Sequence, residues 1–482
     1  MKSGLSLKDV LAVEDTPEIL EFICLDSADL LWPIIRLPFL RFILSDLCYG
    51  EPLIGHQAKR SIPKAAGVFL KSIFHNQSIS RRAHAPVLVM GTGMGNYLRD
   101  DRWFNRLTDH FALAANGTYV MEDLWDWNWP FPRHNQNVLF HTPFQFETAV
   151  RGRVQVRSRH QRRAAELVGF MRRRALDILE WELGDERYAF LVRMLSRHMA
   201  AVPAKKNAYE KFLNRLKVKV LLKEEACYGP SSVLISLARD MGIVTAEYQH
   251  GVVSAGTDAY NLAPVLVQSP AYRKGLPDYF LAYGNWWTRQ INVPVTKISI
   301  GNPHRSNQTA QVSKKPQMVR DILLLGDGFD TLRYLDLCEQ LADVFGGTYR
   351  VVFRPHPLER AQIDATVAKH GTSVHIDRNA DMYQSFATAH VVISEVSTGL
   401  FEAVGTVENI FLWDTPKARF CFPLFPFEAV KSAEEMKIRL DDERPCLITP
   451  SEIWENNWKE NYMTFLDRAL NDASFNKTSG SK

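Results

Sequence analysis

The amino-acid sequence predicts two doubly wound α/β domains facing each other across a cleft. Three observations carry this. Short apolar runs of strand length recur, among them Pro86–Met90, Val218–Leu222, Asp321–Leu325 and His390–Ser394, each closed by a small or polar residue. Stretches with apolar residues at helical spacing alternate with them, the rhythm of parallel βαβ units. A polar segment, Gln308–Gln317, divides the series in two. The expected units are an N-terminal domain over 1–307 with a basic helical insertion at about 151–216, a C-terminal domain over 318–450, a terminal helix within 451–471 and a disordered tail, 472–482.

Composition narrows the function classes. A formal net charge of +4 over 482 residues gives no electrostatic footprint for a nucleic-acid partner. Six scattered cysteines without a CxxC pair argue against a zinc site or a disulfide framework and for a reducing compartment, hence the cytoplasm. No HExxH and no paired-aspartate motif at a strand end is present, so no metal is expected. The most apolar stretch, Leu30–Leu44, is broken by Pro33, Arg36, Pro38 and Arg41 and reads as a buried helix.

Along the chain, Pro86–Met90 is the first strand. The glycine-rich Gly91–Gly95 after it opens no apolar-periodic helix, so a loop facing the cleft is preferred to a dinucleotide fingerprint. Thr118–Glu122 is a second strand. Trp125, Trp127 and Trp129 follow at alternate positions, three rings on one side of an extended chain, with core packing preferred to sugar stacking. Arg151–Leu216 is helical and crowded with arginine. A solvated face is the plainer reading, and peripheral contact with the anionic inner face of the cell membrane is the alternative. Val218–Gly251 is a strand–helix–strand unit, and Phe280–Gly284 and Ile298–His304 repeat the pattern of strand, then glycine.

The C-terminal half continues the alternation. Asp321–Leu325 ends in Gly326-Asp327-Gly328, Tyr349–Phe353 ends in Arg354-Pro355-His356-Pro357, and His390–Ser394 leads into Ser397-Thr398-Gly399 at a helix start. Ligands of open parallel sheets sit at this edge. N–H donors, hydroxyls and cations gathered there make a phosphate or diphosphate site. Two prolines fix His356, whose imidazolium would offset charge on a leaving phosphate. Glu402, one turn beyond Thr398, is placed to accept ribose hydroxyls. On the facing edge, Glu225, Glu247, His250 and Asp258 are the candidate general bases, with Asp258 in a loop, Ser254–Asn261, able to close on substrate.

Through Gln249-His250-Gly251, Gly301-Asn302-Pro303, His356-Pro357 and Ser397-Thr398-Gly399 with Glu402-Ala403, the chain resembles GT-B glycosyltransferases. More narrowly, it resembles the bacterial capsule, O-antigen and teichoic-acid enzymes that include polysialyltransferases, Kdo transferases and CDP-glycerol glycerophosphotransferases. The resemblance spans about Val218 to Asp414 and lies in the order of short motifs. Asp29–Arg36 also resembles the start of surface-polysaccharide proteins that carry Gln-His-Gly. The resemblance implies that His356, Ser397 and Thr398 contact the donor phosphate and that an N-terminal acid is the base in inverting members. The acidic motif that supplies this base in polysialyltransferases is not evident, which leaves the base open. The implied activity is metal-independent transfer of a sugar from a nucleotide-activated donor, a substrate rather than a cofactor, to a glycan or lipid-linked acceptor. Alternatives are a CDP-polyol phosphotransferase, a sugar-nucleotide epimerase and a non-catalytic polysaccharide assembly protein.

Overall fold

The computed structural model describes residues 5–50, 62–80, 83–125, 127–310, 320–328, 330–371, 374–379, 381–424, 426–442 and 448–479. Most of the expected linker lies outside them. Strand β1 (Val87–Thr92) is apolar and almost wholly buried. A hairpin follows, β2 (Asn96–Arg99) and β3 (Arg102–Asn105), turned by Asp100 and Asp101 at φ 47° and 57°. Then come β4 (Thr118–Asp123), β5 (Val138–Phe140), β6 (Val220–Lys223), β7 (Val244–Tyr248), β8 (Tyr279–Ala282) and β9 (Thr296–Ser299). Seven of these form one parallel sheet in the order β5-β4-β1-β6-β7-β8-β9.

The second sheet contains β10 (Arg320–Leu325), β11 (Tyr349–Arg354), β12 (His375–Ile376), β13 (Ala389–Ser394), β14 (Asn409–Trp413) and β15 (Glu428–Val430). All pair in parallel, in the order β12-β11-β10-β13-β14-β15. Each sheet therefore runs outward from its first strand, reverses, and runs the other way. A doubly wound sheet binds ligands at that reversal, beyond the carboxyl ends of the strands. Two such domains facing across a cleft constitute the GT-B architecture.

The stretch expected as one basic insertion is three helices, Thr142–Val154, Ser158–Leu179 and Asp185–Leu216. Several of its arginines are engaged within the chain: Arg159 with Asp26 at 2.6 Å, Arg163 with Glu166, Arg172 with Asp185 and Glu182, and Arg174 with the Val13 carbonyl. Helix Trp32–Leu44 is buried, as its apolar density predicts, with Trp32, Ile35, Phe39 and Ile43 inaccessible. The three tryptophans do not share one side of an extended chain. The backbone turns at Trp127, φ 54°, and only Trp129 stacks into the core, on Phe131 and Phe140.

The glycines closing β8 and the strand after it have a structural cause. A Cβ on Gly284 would lie 2.2 Å from the Ile453 carbonyl oxygen, and one on Gly301 (φ 95°) 2.5 Å from that of Glu455. The chain leaving the C-terminal domain crosses back over these strand ends, and only glycine admits it. Trp287 donates to the Ile453 carbonyl, Trp454 donates to that of Phe401, and the Trp287 and Phe401 rings sit 4.4 Å apart, forming the joint between domains. The terminal helix, Trp458–Ser479, then packs Tyr462, Phe465 and Leu466 into the core beneath the first sheet. It runs nine residues past Leu470, through most of the segment expected to be a disordered tail.

Candidate functional site

A cavity of about 320 Å³ lies between the strand ends of the two sheets. The C-terminal domain lines it with Gly326 and Asp327 after β10, Arg354–Pro357 at the end of β11, Arg360, and Val396–Gly399 with Glu402 after β13. The N-terminal domain contributes Met94–Tyr97, Arg106, Val252 and His304. The glycine-rich loop after β1 thus faces the cleft and opens a hairpin rather than a helix. Eight of the nine expected phosphate-site residues meet here. The ninth, Gly328 (φ 87°), lies against His356, whose Nδ1 would be 2.7 Å from a Cβ at that position.

His356 is neutral in this cavity, not the imidazolium expected from sequence. Burial, reinforced by Arg106 and Arg360, pushes its pKa down to about 4, against an opposing pull from Asp327. Nδ1 accepts the Leu358 backbone N–H at 3.3 Å. The proton of the neutral ring therefore sits on Nε2, which is left as a donor. The turn is fixed from behind: Glu359 accepts the His356 N–H at 2.6 Å and the Thr331 hydroxyl at 2.6 Å. Burial raises the Glu359 carboxyl.

Arg354 is partly structural. Its guanidinium pairs with Asp377 at 2.5 Å, donates to Ser385 Oγ and reaches the Asn379 carbonyl, tying β11 to the loop after β12. The cations facing the cavity are instead Arg106, exposed at the end of the hairpin, and Arg360. Burial lowers the Arg360 pKa, and Arg354 and Arg106 lower it further against opposing pulls from Asp377 and Asp381. Its Nε is buried without a hydrogen-bond partner. The carboxylates of the lining are each engaged elsewhere: Asp327 with Lys417 at 2.6 Å, Asp381 with His304 at 3.2 Å, Glu402 as acceptor of the Tyr383 hydroxyl at 2.5 Å. Burial works to raise the Asp381 carboxyl, but His304 holds it below the usual range. Beneath the Gly326-Asp327 turn, Lys417 also faces Glu395 at 3.8 Å. The cavity is thus lined by three guanidiniums, of which Arg354 is paired, by a neutral histidine, and by three carboxylates that are each held by a partner within the chain.

Ser397 caps the short helix Thr398–Glu402, accepting the Gly399 N–H at 3.1 Å. The turn Ser397–Gly399 lines the cavity while serving as this cap.

None of the four candidate bases lines the cavity. Glu247 is fully buried, with Oε1 accepting from the Tyr260 hydroxyl and Oε2 from the Cys227 N–H, both at 2.6 Å. Asp258 is buried against Arg41, and its loop is pinned: Arg36, paired with Glu14, donates to the Asp258 and Asn261 carbonyls at 2.7 Å each. Gly256 packs on Phe420 and Cys421 of the other domain. This loop is an interdomain contact, not a flap poised to close. Glu225 is half-buried at φ 59°. His250 stands two residues before the cavity-lining Val252, with its buried Nδ1 3.9 Å from Glu247 Oε1 and no hydrogen-bond partner.

Arg106, Arg360 and Tyr97 escaped the sequence reading. A signal for the first existed: Asn96–Arg99 and Arg102–Asn105 flank Asp100-Asp101, the pattern of a tight hairpin whose end delivers Arg106 to the cleft. Arg360 follows His356 by four residues and carries no comparable signal. Among the described residues, one group has metal-like spacing, Asp336, Glu339 and His370, and none of the three lines the cavity.

No protein-family model matches the chain, and no curated protein matches it in sequence. Solved structures similar to it include a UDP-GlcNAc 2-epimerase from Neisseria meningitidis bound to UDP-GlcNAc, at 10% identity and TM-score 0.42, covering 79% of this chain and 99% of that one. The wall teichoic acid polymerase TagF is similar at 10% identity and TM-score 0.41, covering 87% and 99%. MurG of Acinetobacter baumannii is similar at 11% identity and TM-score 0.41, covering 79% and 99%.

Proposed function

We propose that the chain is a transferase that binds a nucleotide-activated sugar by its phosphates in this cleft and passes the sugar to a glycan or lipid-linked acceptor. The observation that carries the reading is the donor set of two guanidiniums, Arg106 and Arg360, and the neutral ring's His356 Nε2, between the carboxyl ends of two doubly wound sheets. A diphosphate offsets the repulsion between the two guanidiniums, and the three donors stabilise the charge that develops on the phosphate as the sugar–phosphate bond breaks. Glu402 and the Ser397–Gly399 turn border the same space, where Glu402 accepts ribose hydroxyls. Of the four candidates we assign His250, two residues from the cavity-lining Val252, as the base for the acceptor hydroxyl. Its unpaired Nδ1 faces Glu247, whose buried carboxylate would stabilise the imidazolium that forms. Glu247 and Asp258 act through position, since their oxygens are committed to the fold.

The test is turnover and binding with purified protein across CMP-, CDP-, UDP- and GDP-linked donors, with and without acceptor glycan. Transfer from one donor class is expected. Use of a CDP-polyol alone would move the reading to a phosphotransferase, conversion without acceptor to an epimerase. Failure to bind any nucleotide would refute it.

A further inference from the structure

Helices Ile62–Ser80 and Thr142–Val154 lie beside the edge strand β5 and meet through Phe69 and Phe146, whose rings are 4.6 Å apart. Around that contact both helices turn apolar side chains to solvent. Leu70 and Phe74 stand one turn apart on the first; Phe146, Val150 and Val154 occupy successive turns of the second. Phe74 is 69% exposed and Val154 78%. Such stripes on a water-facing helix are costly unless something covers them.

The charge around the stripes says what covers them. Residues 62–80 contain Lys64 and Lys71 and no acid, and residues 142–157 contain Arg151, Arg153 and Arg157 against Glu147 alone. The whole chain is only +4, so this face is far more basic than the rest. Exposed apolar residues at helical spacing, flanked by Lys and Arg, are the pattern of a helix lying in a lipid–water interface. Basic residues are drawn to the anionic leaflet and the apolar ones enter the acyl boundary. No helix of the described residues is long and apolar enough to cross a membrane, so the contact is peripheral.

We infer that this two-helix face docks the protein on an anionic lipid bilayer, with Phe74, Phe146 and Val154 entering the interface. The attachment is separate from the arginines of Ser158–Leu179, several of which are paired within the chain, and it is independent of the nucleotide cleft.

The test is co-sedimentation of the full chain with vesicles of phosphatidylcholine alone or mixed with phosphatidylglycerol, at low and high salt. Binding to the mixed vesicles and its weakening by salt are expected. Phe74→Ser with Val154→Ser lowers the partition coefficient about tenfold or more. The Arg153→Gln/Arg157→Gln pair lowers it at low salt only. Unchanged melting temperature and nucleotide affinity show that these surface variants remain folded. Wild-type protein left in the supernatant with phosphatidylglycerol vesicles, or equal binding by the Phe74/Val154 variant, overturns the inference. So does self-association of the wild type that the variant abolishes without any vesicle binding, since the face would then join two copies.

Discussion

Nucleotide affinity measured against pH isolates the role assigned to His356. Burial, with Arg106 and Arg360, lowers the pKa of the ring to about 4 from an ordinary value of 6.5. Charging it there costs about 3 kcal/mol more than in water. A bound phosphate supplies the counter-charge that the cavity lacks and moves the ring back toward its ordinary value. Binding then takes up a proton wherever the pH lies between the free and bound values, so affinity rises as the pH falls through that window. If the phosphate restores the ring to about 6.5, lowering the pH from about 7.5 to about 5.5 strengthens binding about tenfold. His356→Gln keeps a neutral N–H donor and cannot titrate. At the upper pH it loses only the difference between two neutral hydrogen bonds, about 0.5–1.5 kcal/mol at most. At the lower pH it lacks the gain. Calorimetric titration of both proteins with CDP, UDP, GDP and CMP at three pH values reads the difference, and the nucleotide's own titration cancels between them. Parallel pH profiles for wild type and variant would remove His356 from the phosphate. An NMR titration placing the free ring above pH 6 would remove the electrostatic argument itself.

Three further outcomes follow from the same contacts. Arg106→Ala and Arg360→Ala should each weaken nucleotide binding by about 1.5–3 kcal/mol, the contribution of one charge-assisted hydrogen bond, and Arg106→Ala should leave the melting temperature unchanged because the side chain is exposed; unaltered calorimetric affinity in both would refute the cation set. Glu14→Gln leaves Arg36 buried with half its partner gone and should cost about 3–5 kcal/mol in urea unfolding; a loss under about 1 kcal/mol would show that the Ser254–Asn261 loop does not depend on the pair. Gly284→Ala sets a methyl against the Ile453 carbonyl and should destabilise by about 1–3 kcal/mol, read as a lowered denaturation midpoint; an unchanged midpoint would mean that the crossover moves freely.

The architecture was legible because a parallel sheet buried on both faces writes itself as apolar runs. Val87–Met90, Val220–Leu222, Ile322–Leu325 and Val391–Ile393 are such runs, and each lies in a strand. What stayed hidden depends on contacts between distant segments. Nothing local in Glu247 says that Tyr260 and Cys227 will take its oxygens, and nothing in Asp258 foretells Arg41. A carboxylate at a strand end looks the same in sequence whether it faces the cleft or the core. Strand-end glycines carried the opposite ambiguity. Gly284 and Gly301 resemble ligand loops, yet their neighbour is the crossover from the other domain. His356 does line the cleft, but its expected charge does not hold, because burial lowers its pKa and Arg106, 250 residues away, and Arg360 lower it further.

That last point bears on how the cleft is assembled. Like charges converge at a cost in a folded protein, and the cost persists only where the surrounding structure enforces it. Here the enforcement comes from both sides. Glu359 and the two prolines hold the His356 turn, while the Asn96–Asn105 hairpin is anchored by Asn96 to Glu122 at 2.7 Å and by Asn105 to Glu122 at 3.0 Å, with Arg133 completing the buried ion pairs behind it. The domains are locked at Trp287, Phe401 and Trp454 and again where Ser254 donates to the Cys421 carbonyl. The His356 turn cannot move away without disturbing one of these anchors, and the hairpin's anchors fix the backbone from which the exposed Arg106 side chain extends. A packing role would have let Arg106 pair with Asp381, whose charge it already senses. Asp381 is bound to His304 instead, and the guanidinium remains over the cavity. An anion entering the cleft would relieve the repulsion between Arg106 and Arg360, which is the support this geometry lends to the phosphate reading proposed above.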